Sequence, residues 1–79
     1  RLHALLARHG IRAGGTALFQ YWPEARAVAF QEHMAGAGIW VRRFDGVAQG
    51  IRLGLPACEA GWERLAAALA AWNRLAEAA

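Results

Sequence analysis

The stretch Gly38-Ile-Trp-Val-Arg-Arg-Phe-Asp-Gly-Val-Ala-Gln-Gly-Ile-Arg-Leu-Gly-Leu-Pro56 limits this chain to few folds. It reads as two short strands joined by a glycine-bearing loop, with Asp45-Gly46 as its turn signal. The two-residue period of a strand puts Ile39, Val41 and Arg43 on one face and Trp40, Arg42 and Phe44 on the other. In the second strand Ile51, Leu53 and Leu55 share a face, and Arg52 and Gly54 share the opposite one. Antiparallel pairing would set Arg42 beside Arg52. Two guanidiniums roughly 6 Å apart repel by about 3 kcal/mol at an effective dielectric near 20. Water, a carboxylate or an anionic ligand between them would make the arrangement tolerable, so the stretch points to an anion site.

The rest of the chain supplies the helices to cover one side of such a hairpin. Leu2, Leu5, Leu6 and His9 lie on one helical face, and Gly10 follows as a C-terminal cap. Thr16–Trp22 alternates as a strand, Ala17, Phe19 and Tyr21 against Leu18 and Gln20. Gly14-Gly15 at its entry marks a turn, a bulge or a close backbone approach. Pro23 suits the first turn of a helix, with Glu24 beside the positive end of its dipole. Ala27, Phe30, Met34 and Ala37 then recur at helical spacing until Gly36 and Gly38 close the helix. Pro56 ends the last strand. From about Cys58 a final helix carries the stripe Trp62, Leu65, Leu69, Trp72 and Ala76, with Glu63, Arg64, Asn73, Arg74 and Glu77 towards water. The expected order is α-β-α-β-β-α. The fold class is α/β, more narrowly a two-layer α+β domain. Its sheet, about three mostly antiparallel strands, is covered by helices on one face. The other face would present Arg42, Arg52, Trp40 and Gly54.

Residues 1–79 make one small domain, and a core of that size is marginal alone. Yet 57% of the residues are hydrophobic and four are tryptophan, so either the core is dense or one face docks onto something else. The chain begins at Arg1 in what looks like a helix, and is expected to be a piece of a longer protein. All nine basic residues are arginine, so no lysine can form a Schiff base or act as a base. The formal charge of +3 is spread without a basic run, which argues against nucleic-acid binding, although a weakly basic interaction module is the alternative from another class. The single cysteine, Cys58, excludes an internal disulfide and fits a reducing compartment. No apolar run reaches membrane-spanning length and no signal segment opens the chain, so no membrane association and a cytoplasmic location are expected. His3, His9 and His33 lack metal-ligand spacing, so no metal is assigned.

The segments Gly15-Thr-Ala-Leu-Phe19, Met34-Ala-Gly-Ala-Gly-Ile-Trp-Val-Arg-Arg-Phe44 and Gly50-Ile-Arg-Leu-Gly-Leu-Pro56, in that order of elements, resemble the C-terminal small domain of fold-type I pyridoxal-phosphate enzymes, the aspartate-aminotransferase superfamily. The match runs from about Leu2 to Trp72. Within the superfamily these segments are most similar to the branch that decarboxylates L-threonine O-3-phosphate in cobalamin biosynthesis. A histidinol-phosphate-type aminotransferase is the alternative. The resemblance implies that Arg52 grips the substrate α-carboxylate and that Arg42 is a second arginine near a phosphorylated amino-acid substrate. It implies that pyridoxal phosphate, its Schiff-base lysine and most of its pocket lie in a large domain of the same chain, with the whole enzyme a homodimer. The segment alone would then be inactive.

Each assignment has a plainer alternative. Arg52 could be an exposed strand arginine or could pair with Asp45 or Glu59, and Arg43 could take the place of Arg42 after a register slip. Trp40 could line a pocket or pack against the large domain, Tyr21 could contact a ligand, and Thr16 is more simply structural.

Overall fold

The computed structural model describes residues 1–46 and 49–78, the last without its side chain. The elements are α1 (Leu2–Arg8), β1 (Gly14–Gly15), β2 (Phe19–Pro23), α2 (Ala27–Gly36), β3 (Arg42–Phe44), β4 (Gly50–Gly54) and α3 (Glu59–Ala78). Four strands form one sheet in the order β1-β2-β4-β3, with every pairing antiparallel. Three helices and an antiparallel sheet make the α+β class expected from the sequence.

One strand more than expected arises at the glycine pair. Gly14-Gly15 does not lead into a strand beginning at Thr16; it is an edge strand paired with Gln20 and Tyr21. The chain reverses over 16–18, where the Leu18 N–H donates to Thr16 Oγ1 at 3.1 Å and the Thr16 N–H to Phe19 O at 3.0 Å. The Thr16 hydroxyl therefore serves a turn, and Ala17 and Leu18 fall outside the strand. Gly15 has φ of 147°, and a Cβ there would lie 2.4 Å from Phe19 O. Of the three possibilities for the glycine pair, close backbone approach is the one that occurs.

Pro23 is likewise corrected. It ends β2 opposite Gly50 instead of opening a helix. The next residue, Glu24, donates its N–H to Gln49 O at 3.0 Å. In an antiparallel ladder this makes Pro23–Gly50 a non-hydrogen-bonded pair, so the missing proline N–H costs no ladder bond. Glu24 then accepts from the Arg26 N–H at 3.3 Å, and α2 starts only at Ala27.

Helices α1 and α2 stop in the same way. Beyond α1, Ile11 N–H reaches back to Leu6 O and Gly10 N–H to Ala7 O; beyond α2, Ile39 N–H reaches Met34 O and Gly38 N–H reaches Ala35 O. Both are Schellman closures, with Gly10 and Gly38 at positive φ and an apolar residue following that packs on the core. The core lies between the sheet and the three helices. It contains Leu2, Leu5 and Leu6 of α1, Trp22 of β2, Phe30 and Met34 of α2, Ile51 and Leu53 of β4, and Leu65, Leu69 and Trp72 of α3. Phe30 is fully buried and meets Trp22 and Trp72 edge-on, with centroids 5.4 and 5.1 Å away. Each such aromatic contact adds about 0.5–1.5 kcal/mol to the burial itself. Two expected solvent-facing or inward positions differ: Asn73 donates to His9 O at 3.1 Å, tying α3 to the end of α1, and Leu55 lies past the end of β4, 47% exposed.

Arg1 and Glu59 join the starts of α1 and α3 through two parallel contacts, one of them 2.7 Å from Nη2 to Oε2. The guanidinium holds the Glu59 carboxyl below its ordinary range. A depressed carboxyl pKa contributes stability above the unfolded value and loses it as pH falls through the folded one.

Two outcomes are expected. Gly15→Ala should destabilise the fold by about 1–3 kcal/mol in denaturant unfolding, as a strained backbone does. Gly14→Ala, whose added Cβ meets nothing within 4 Å, should stay near wild type. In an NMR titration the Glu59 carboxyl should titrate below an ordinary glutamate, and Arg1→Ala should raise it; an unmoved midpoint would show that Arg1 does not set it.

Candidate anion-binding face

The face of the sheet turned away from the helices is built by alternation. With Trp22, Ile51 and Leu53 buried on the helical side, their neighbours Phe19, Tyr21, Phe44 and Arg52 are half-buried on the open side, and Arg42 is exposed there. The register pairs Arg42 with Arg52, and on the other flank Tyr21 with Arg52 and Phe19 with Gly54. The two arginines singled out from the sequence are thus direct cross-strand neighbours. Arg43, the alternative after a register slip, pairs with Ile51 in the ladder, and its Nε lies 3.2 Å from Asp45 Oδ1.

Neither proposed carboxylate partner of Arg52 is available to it. Asp45 is taken by Arg43 and Glu59 by Arg1. Among the described residues, no carboxylate lies within 4.0 Å of Arg42 or Arg52. Their neighbours are aromatic. The Arg52 guanidinium lies 5.0 Å from the Phe19 ring and 5.8 Å from the Phe44 ring, and the Arg42 guanidinium lies 5.3 Å from Phe44. Contacts of this kind contribute about 0.5–1 kcal/mol each at exposed sites, which offsets only part of the repulsion between two like charges.

Phe44 is fixed in turn by Tyr21, whose ring stands edge-on to it at 5.7 Å and 73°. That contact crosses Gly50, where a Cβ would come within 2.8 Å of the Tyr21 hydroxyl and 2.9 Å of Trp22 O. Glycine at this position is what lets rings from β2 and β3 meet over β4. The parity of the sequence already put Phe44 with Arg42. That Phe19 and Tyr21 join the same face depends on β2 lying beside β4, which alternation alone does not reveal.

Trp40, which precedes β3, is 83% exposed. It borders a groove of about 300 Å³ that also touches Gly54, Leu55, Pro56, Cys58 and Arg64, at the end of the sheet near the start of α3. The groove is not lined by Arg42 or Arg52, so it and the paired charges are separate features. Cys58 is a free, exposed thiol. Among the described residues no three His, Cys, Asp or Glu side chains converge as metal ligands, and no helix is long and apolar enough to cross a membrane.

No protein-family model matches the chain. A threonine-phosphate decarboxylase of Pseudomonas aeruginosa is 51% identical over 70 residues. Those residues are 87% of this chain and 21% of the decarboxylase, so the chain spans about a fifth of that relative's length. Over most of its length, then, this chain is similar to one small segment of a threonine-phosphate decarboxylase.

Proposed function

We propose that this chain is the substrate-anchoring small domain of a pyridoxal-phosphate-dependent L-threonine O-3-phosphate decarboxylase of cobalamin biosynthesis, a homodimeric cytoplasmic enzyme. The observation that carries the proposal is the cross-strand pair Arg42–Arg52, two permanently charged groups on an open sheet face with no carboxylate within 4.0 Å among the described residues. A substrate bearing both a carboxylate and a phosphate supplies two anionic groups, each able to accept two parallel hydrogen bonds from a planar guanidinium. Similarity to a threonine-phosphate decarboxylase supports that substrate class over other dianions.

The chain contains no lysine, so its own residues do not fit covalent attachment of the cofactor, which in this reading is held by a large domain outside the chain. The contribution of this segment is binding and orientation. Arg42 and Arg52 fix two points of the substrate, and two fixed points determine which bond at the reacting carbon is presented to the rest of the enzyme. Trp40, almost wholly exposed, packs against the large domain in this reading. The segment by itself is inactive.

The full-length protein loaded with pyridoxal phosphate should release carbon dioxide from L-threonine O-3-phosphate and form aminopropanol phosphate. Arg52→Ala should lower kcat/KM by roughly 10²–10³-fold, the cost of removing one partner of a hydrogen-bonded charge pair. Amino-group transfer to 2-oxoglutarate without carbon dioxide would instead identify an aminotransferase, and near-normal kcat/KM in Arg52→Ala would remove the anchoring role.

A further inference from the structure

Phe44 occupies a position that the clamp alone does not explain. Among the described residues it is the one ring lying near both guanidiniums, at 5.3 Å from Arg42 and 5.8 Å from Arg52. Both neighbouring carboxylates that could have neutralised the pair are engaged elsewhere, Asp45 by Arg43 and Glu59 by Arg1. A carboxylate between the arginines would accept their in-plane N–H groups and compete with an incoming anion. The face of a benzene ring attracts a cation through its quadrupole, yet carries no net charge and takes no strong hydrogen bond. Tyr21 abuts Phe44 edge-on across the space left by Gly50.

We infer that Phe44 is a positioning residue, a neutral ring near both the Arg42 and the Arg52 guanidinium that orients them as one receptor for an anion with two acidic groups. This rests on the proposed role of the two arginines as the substrate clamp.

The test uses the full-length, cofactor-loaded protein and, without substrate, the arginine side-chain Nε–H resonances. In the wild type, the Arg42 and Arg52 signals should be displaced by ring currents relative to the exposed Arg12 and Arg74; undisplaced signals overturn the inference without any variant. Phe44→Leu should collapse that displacement for Arg42. It should also raise KM for L-threonine O-3-phosphate by about tenfold, the equivalent of losing two ring–guanidinium contacts, with little change in kcat. Phe44→Tyr, which keeps a ring, should restore KM. A Phe44→Leu enzyme with wild-type KM, beside an Arg52→Ala enzyme that is impaired, overturns the positioning role and leaves the clamp standing. An Arg52→Ala enzyme with wild-type kcat/KM removes the clamp and the positioning role together.

Discussion

Burial of one face of β4 governs the remainder of the structure. Ile51 and Leu53 are taken up into the core shared with Phe30, Met34, Leu65 and Leu69, and a strand cannot bury them without turning Arg52 the other way. The same burial pins the register with β3. A slip of one residue would drive Val41, now buried, into solvent and exchange Arg42 for Arg43 beside Arg52. Apolar area removed from water contributes roughly 25 cal/mol per Å², so losing a core valine outweighs any preference among surface arginines. The location of the charges follows from the location of the oil.

Concentrating like charge on the far side has an electrostatic cost, and the fold moderates it with aromatic surface. Phe19 and Phe44 flank the guanidiniums, and Tyr21 braces Phe44. The acids nearest in sequence are drawn off: Asp45 to Arg43, Glu59 to Arg1 at the far end of the chain. The resulting face is cationic, with no carboxylate within 4.0 Å of Arg42 or Arg52 among the described residues, while the rest of the small domain is tied by local devices. Two Schellman closures end α1 and α2, an Asn73–His9 hydrogen bond joins α3 to α1, and His33 Nε2 lies 2.8 Å from Ala68 O between α2 and α3. Even so, Gln20 Oε1 and Trp22 Nε1 are buried without a partner among the described residues. Each such group costs about 1–3 kcal/mol, a real fraction of what a core this small can supply.

Much of this was legible in the sequence. Periodicity alone located three helices, the β3–β4 hairpin and the two arginines on one face, because in each case the side-chain period is a local property of the backbone. Local rules failed where a residue type suits two settings. Gly14-Gly15 suits a strand entry as well as an edge strand, and the deciding contact, Gly15 against Phe19 O, is made only when the chain folds back on itself. Pro23 suits a helix start as well as a strand end, and its place was decided by the hydrogen-bond phase of the β2–β4 ladder. Asp45-Gly46 stands at the end of β3 as expected, but Val47 and Ala48 of the same connection lie outside the described residues.

The sequence by itself determined the alternation of side chains within β3 and β4, and hence that Arg42 and Arg52 share a side once those strands pair antiparallel in this register. Side-chain direction is fixed within two or four residues of backbone, so no distant contact is needed to know it. Only the tertiary structure decided what surrounds those arginines. Strand order brings Phe19 and Tyr21 to one flank of Arg52 and Phe44 to the other, and removes Asp45 and Glu59 as partners. Strand order is chosen by how the three helices can cover one sheet, a property of the whole chain at once.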